Sequence, residues 1–310
     1  MDIAKEGKGL LFVILSGFLW SSASIFSKYL LSAGCTSILV ILVRNFAGAL
    51  LLGLILLLFQ RKRFYVAKED LGAMFLCCVF VFLHAGCYFF SLYFLNASVA
   101  VMLLYLYPSI VVVASVFLYG ERLTAKVLSA LFLTLLGLAL TLNLFRDGFG
   151  SVDLPGLLLG LTAAVGAAFY CIYIKKLSPR YHSFTISFYG LAMSVVVFGL
   201  MLPFFDLEPM APKYLLITVV SSVPYVCAFL FYAAGVACLR PSFASIFGNS
   251  EVVFNVVLAT VCLGEAFSLS QGMGMILIIG AIVLLEWKLP GEKRERKNKN
   301  GKVSLSEKGN

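Results

Sequence analysis

From residue 9 to residue 288 the chain is a succession of apolar runs separated by short polar or charged breaks. A helix needs roughly 20 apolar residues to cross about 30 Å of hydrocarbon. Only helices and closed barrels satisfy their backbone groups there. The runs predict ten helical spans, over 9–31, 37–59, 71–91, 97–119, 125–144, 154–175, 183–203, 213–235, 241–263 and 270–288. Connections this short leave no room for a soluble domain. Composition agrees: 61% of residues are hydrophobic and 13% charged, with a mean hydropathy of +1.00, against about 45–50% and about 25% in soluble domains. The expected fold class is all-α and integral to a membrane, in contact with lipid. The first run is too long for a signal-peptide core and no clean cleavage site follows it, so it is expected to be a retained span.

The net charge of +9 does not point to nucleic acid. Arg61, Lys62, Arg63 and Lys68 follow the second span; Arg122 and Lys126 follow the fourth; Lys175, Lys176 and Arg180 follow the sixth; and Arg240 follows the eighth. A basic tail follows the tenth. The opposite connections hold Asp147, Asp153, Asp206 and Glu208 against Arg146. Under the positive-inside rule this bias places both termini in the cytoplasm, in a multi-pass protein of the cytoplasmic membrane. Residues 289–310 are polar and aperiodic, as in a disordered tail. The eight cysteines lie mostly inside apolar runs without CxxC spacing, and there are two histidines. The pattern predicts free thiols and neither a disulfide framework, a metal site nor a cofactor.

Five spans per half is an odd number, so two similar halves would lie inverted in the bilayer. Moving the first half forward by 144 residues sets Gly120-Glu121 on Gly264-Glu265, Ser98 on Ser242, Ala100 on Ala244 and Val112-Val113 on Val256-Val257. The sequence thus divides into five-helix repeats at 1–145 and 146–288. Inverted repeats are the architecture of carriers that bind cargo near the midplane between their halves.

The residues also carry a resemblance. GFLWSSASIFSKYLL in span one, the arginine of TSILVILVRNFAGALLL in span two, and YPSIVVVASVFLYGERLT with its counterpart NSEVVFNVVLATVCLGEAFS resemble the EamA family of the drug/metabolite transporter superfamily. Pro108 and Gly120-Glu121 fit the family's spacing of a proline and a following Gly-Glu. In the second half Glu251 keeps the acid, but Val252 stands where the proline often does, which removes a proline kink from the argument for span nine. The resemblance covers nearly all of residues 9–288. It implies two inverted five-helix repeats, with spans one to four and six to nine around a central cavity. Spans five and ten would pack outside it, at the place where many such proteins form homodimers.

Polar groups at membrane depth supply the site candidates. Glu251 lies about 15 Å into span nine at 1.5 Å per residue, and its nearest charged residues in sequence are Arg240 and Glu265. An ionised carboxylate there costs several kcal/mol unless it is paired, wet or protonated. Glu251 is therefore a candidate for binding a proton or a substrate amine, oriented by Asn255 one turn on. A protonated carboxyl bridging two helices is the purely structural alternative. The 144-residue shift puts Tyr107 opposite Glu251. Span three offers His84, Tyr88 and Ser91 on one face, and a histidine can relay protons near neutral pH. Span one offers Ser16, Trp20, Ser24 and Ser27. Arg44 could grip a carboxylate with two hydrogen bonds, or pair with Glu265 near the outer surface, while Lys28 would snorkel outward. Tyr170 in span six and Tyr225, beside Pro224 in span eight, complete an aromatic chamber with Trp20, Tyr88 and Tyr107.

These features predict a secondary transporter, in the direction of export, for small polar or amphipathic metabolites such as amino acids. Cargo would move by alternating access, with Glu251 and His84 as candidate proton-coupling groups. A multidrug exporter drawing lipophilic cations to the central acid is the alternative within transport. An enzyme is not expected: the sequence has no HExxH, GxSxG or paired-acid motif, and no GxxxxGK[ST] phosphate loop.

Overall fold

The computed structural model describes residues 3–144, 153–205 and 207–286. The expected boundary between the halves at 145/146, the acidic connection around Asp147, and the tail at 289–310 lie outside these residues. Eight helices are long and apolar enough to cross a membrane, and Ala125–Thr141 and Leu269–Leu285 are shorter apolar helices. These ten correspond to the ten expected spans. The fifth stops short of residue 144, because Asn143 turns into the left-handed region (φ 52°), a conformation asparagine tolerates.

Three spans are interrupted. Span three runs Leu71–Phe82, opens into a π-helical turn at Leu83–Cys87 and resumes at Tyr88–Ser91. Span four breaks between Ala97–Leu104 and Tyr107–Tyr119. Span nine breaks at Asn249, between Pro241–Gly248 and Ser250–Leu263. The last two breaks fall at equivalent places, Tyr105 and Asn249 being 144 residues apart (249 − 105). Pro108 lies in the first turn of the second piece of span four, where a missing N–H costs nothing. Span nine breaks without a proline. Tight three-residue bonds, from Asn249 N–H to the Ile246 carbonyl (3.2 Å) and from Val252 N–H to the Asn249 carbonyl (3.1 Å), carry its backbone through the turn.

The packing repeats the internal two-fold. Span one packs on spans eight and nine, and span six on spans three and four; span two meets span seven, and span five meets span ten. Lipid offers no hydrophobic reward for joining helices, so close approach through small residues holds such bundles together. At the five–ten crossing a Cβ added to Gly137 would lie 2.7 Å from the Gly274 carbonyl oxygen. One added to Gly274 would lie 2.4 Å from the Gly137 carbonyl oxygen. Large apolar side chains such as Leu58, Phe59, Phe117, Phe132 and Ile276 cover the outside. The eight cysteines are free thiols, with Cys77, Cys78 and Cys171 buried.

Candidate functional site

Between the halves lies a cavity of about 700 Å³, walled mainly by spans one to four and six to nine, with Thr141 of span five and Gln271 of span ten also on its lining. Of the candidates read from the sequence, Trp20, Arg44, His84, Tyr88, Tyr107, Tyr170, Tyr225, Glu251 and Asn255 line it, with Ser24 and Ser27, whereas Ser16 and Ser91 are not on its lining. Glu251 is delivered by the span-nine break, in the first turn of the second piece. That places it at the partly positive end of a helix, which favours a carboxylate. Gly17 makes room for the break: a Cβ there would sit 2.8 Å from Ser250 Oγ and 2.9 Å from the Glu251 nitrogen. Ser21 Oγ donates to the Glu251 carbonyl at 2.7 Å. Span one is thus stitched to the turn that presents the acid.

The hydroxyl of Tyr105, a residue the sequence reasoning passed over, lies beside the Glu251 carboxyl on the cavity lining. In an unbroken helix Tyr105 and Tyr107, two residues apart, would face opposite ways; the break lets both line the cavity, their rings 6.5 Å apart. Asn255, expected to orient Glu251, lines the cavity with its Oδ1 buried and without a partner. Tyr107 donates to the Ser245 carbonyl at 2.9 Å, joining the two broken spans across the pseudo-two-fold.

Arg44 is on the cavity wall, with Nη1 2.7 Å from Ser27 Oγ and its guanidinium 4.1 Å above the ring centre of Tyr225. Its Nε is buried and without a partner. The expected pairing of Arg44 with Glu265 does not form. Lys28 takes that carboxylate, at 2.8 and 3.1 Å, and so is paired and not simply snorkelling. Arg44 is instead held by Ser27 and Tyr225 on the cavity wall. Trp20, Tyr170 and Tyr225 converge on Phe229 and Tyr232 of span eight, with ring centres 5.1–6.3 Å apart. Phe229 carried no polar signal in the sequence. His84 sits in the π-helical turn of span three, which Gly166 lets span six approach; a Cβ there would lie 2.5 Å from the His84 nitrogen. Ser91 instead turns its hydroxyl onto the Tyr88 carbonyl. Tyr170 of span six reaches the cavity.

Among the described residues, the cavity lining reaches one end of the bundle. Leu31, Ser37, Leu92, Asn143, Glu265 and Gln271 line its mouth. The opposite end is crossed by polar contacts between the halves. Thr185 donates to the Arg63 carbonyl (2.8 Å), Tyr189 to the Phe64 carbonyl (2.8 Å), and Tyr181 and Arg180 to Asp70 (2.8 and 3.0 Å). Ser242 donates to Glu121.

The profile of the EamA-like transporter family matches this chain twice, over residues 7–143 and 154–287. The chain belongs to the EamA-like transporter family. It is a multi-pass membrane transporter of that type. Among similar proteins is an uncharacterized inner membrane transporter, YicL of Salmonella typhimurium, 25% identical over 90% of this chain and 95% of its own. The pseudopaline exporter CntI of Pseudomonas aeruginosa is 27% identical over 64% of this chain and 66% of its own. The fold also matches a protein of known crystal structure, with a TM-score of 0.78 at 19% identity over 90% of this chain and 96% of that one. The EamA family is a family of transporters, in line with the expectation that the chain is not an enzyme.

Proposed function

We propose that this EamA-family transporter exports small metabolites of amino-acid character by alternating access, with Glu251 as its proton- or amine-responsive group. The observation that carries this reading is the pairing of opposite charges on one chamber: Arg44 and Glu251 both line it, and among the described residues no ion pair joins them. A zwitterion would set its carboxylate on Arg44 and its ammonium near Glu251 and Asn255, with the aromatic wall taking the side chain. Arg44 argues against a lipophilic cation, which would meet a guanidinium in the same chamber. The relative named as an exporter of pseudopaline supports the direction. The charge bias supports both termini in the cytoplasm, which sets the open mouth at the outer face; spans five and ten would offer a homodimer contact.

Glu251→Gln, reconstituted in vesicles, is expected to lose gradient-driven flux while keeping its unfolding temperature. Unchanged pH-dependent flux would remove Glu251 from the mechanism. The cargo class is read by thermal shift against amino acids and cationic dyes, since a selective ligand stabilises the folded state. Stabilisation by carboxylate-bearing amino acids is expected to vanish in Arg44→Gln; stabilisation by cationic dyes, untouched by that change, would favour the multidrug reading.

A further inference from the structure

The two Gly-Glu turns at the ends of spans four and nine are built alike and used differently. Gly120 and Gly264 are both left-handed (φ 62° and 68°). Glu121 N–H bonds the Ser115 carbonyl at 3.2 Å, and Glu265 N–H bonds the Ala259 carbonyl at 3.3 Å; Ser115 and Ala259 are themselves equivalent positions. Each glutamate is therefore held by the same backbone hook, its N–H reaching six residues back past a left-handed glycine. Their carboxylates diverge. Glu121 accepts from Ser242, the first-turn serine of span nine, at the end of the molecule that is shut, and its Oε1 is buried and unpartnered. Glu265, at the open mouth, is half-exposed and held by Lys28 of span one. The residue at the place equivalent to Ser242 is Ser98, at the start of span four.

We infer that Glu121 and Glu265 are reciprocal latches: each shuts its own end of the cavity by accepting from the serine that begins the other broken span, and only one is engaged at a time. In the structure the Glu121–Ser242 latch is closed. When access reverses, Glu121 lets go of Ser242, and Glu265 exchanges Lys28 for Ser98. The inference rests on the alternating-access part of the proposed function, and it gives the Gly-Glu repeat a task that fold alone does not require. The turn fixes the carboxylate at the helix end, and the partner serine moves with the opposite half. An ion pair with Lys28 occupies the idle latch at the mouth.

Three single substitutions, each removing one partner and leaving both glutamates, predict different directions. Full-length protein in lipid nanodiscs is compared by hydrogen–deuterium exchange, with no cargo and no proton gradient. Ser242→Ala weakens the closed latch, and Lys28→Met frees the idle one. Both are expected to speed exchange at residues 61–70 and 178–183 about tenfold and to slow it at 31–37 and 264–268, the scale set by one hydrogen bond to a charged group. Ser98→Ala removes the latch of the reversed state and is expected to do the opposite. If both ends loosen together, if neither end responds in Ser242→Ala and Lys28→Met proteins of unchanged unfolding temperature, or if Ser98→Ala moves in their direction, the inference is overturned. Because the readout uses no transport, alternation that tolerates Glu251→Gln would leave this inference standing and defeat the proton-coupled reading alone.

Discussion

Spans four and nine pass through the same events in the same chain order: a short first piece, a break at mid-span, a second piece and a left-handed Gly-Glu ending. Their breaks nevertheless do different work. The span-four break gives a tyrosine to each task, Tyr105 to the Glu251 carboxyl and Tyr107 to the Ser245 carbonyl of the partner span. The span-nine break gives an acid and leaves the amide of Asn249 buried, with both Oδ1 and Nδ2 unpartnered. Only span four has a proline in its break. The backbone geometry of the pair is thus set by the symmetry of the packing around it, and side-chain chemistry has diverged on top of it. A duplicated scaffold can keep its hinges while one half carries the charge and the other half the groups that hold it.

That comparison can be broken in order of effect. The largest consequence is expected from Gly17→Val, which drives a branched side chain into Ser250 and the Glu251 backbone. Overpacking of this kind costs about 1–3 kcal/mol or more, and unfolding in detergent would register it as a large fall in midpoint. The same substitution at Gly7, where an added Cβ meets nothing within 4 Å, should leave the midpoint unchanged. Equal losses at the two sites would show that the span-nine break does not depend on span one. Next comes Tyr107→Phe, which strips a buried carbonyl of its donor across the two-fold at a cost of about 1–3 kcal/mol. If the midpoint holds, the bridge between the broken spans is dispensable.

Smaller still, and the sharpest test of likeness, are Gly120→Ala and Gly264→Ala. Each forces a side chain into the left-handed region at about 1 kcal/mol. Neither glycine has a neighbour that a Cβ would strike, so backbone strain is the whole effect, and the two costs should agree. A clear inequality would mean that the turns are not equivalent in the folded state.

Much of the site was legible without coordinates, for a reason peculiar to membranes. Polar side chains are so costly in hydrocarbon that those retained tend to face a wet interior, which is why Arg44, His84, Glu251 and Asn255 could be picked out by depth alone and all line the cavity. Phe229 was invisible because an apolar ring in an apolar run carries no such signal. Tyr105 was missed because an unbroken helix was assumed where the chain breaks. Of the alternatives for Arg44, pairing with Glu265 is not the one taken, because Lys28 holds that carboxylate, and which of two cations on neighbouring spans reaches it cannot be read by counting along helices.

Length, apolar patterning and the 144-residue repeat determined the ten spans, their division into inverted halves and the depth of each polar group, since hydrocarbon thickness and backbone hydrogen bonding leave few other solutions. Tertiary packing alone decided where spans three, four and nine come apart and which end of the cavity is shut. It also decided which hydroxyl lies beside the central carboxyl. Those outcomes depend on glycines of one span lying against the backbone of another, and no local stretch of sequence specifies such a contact.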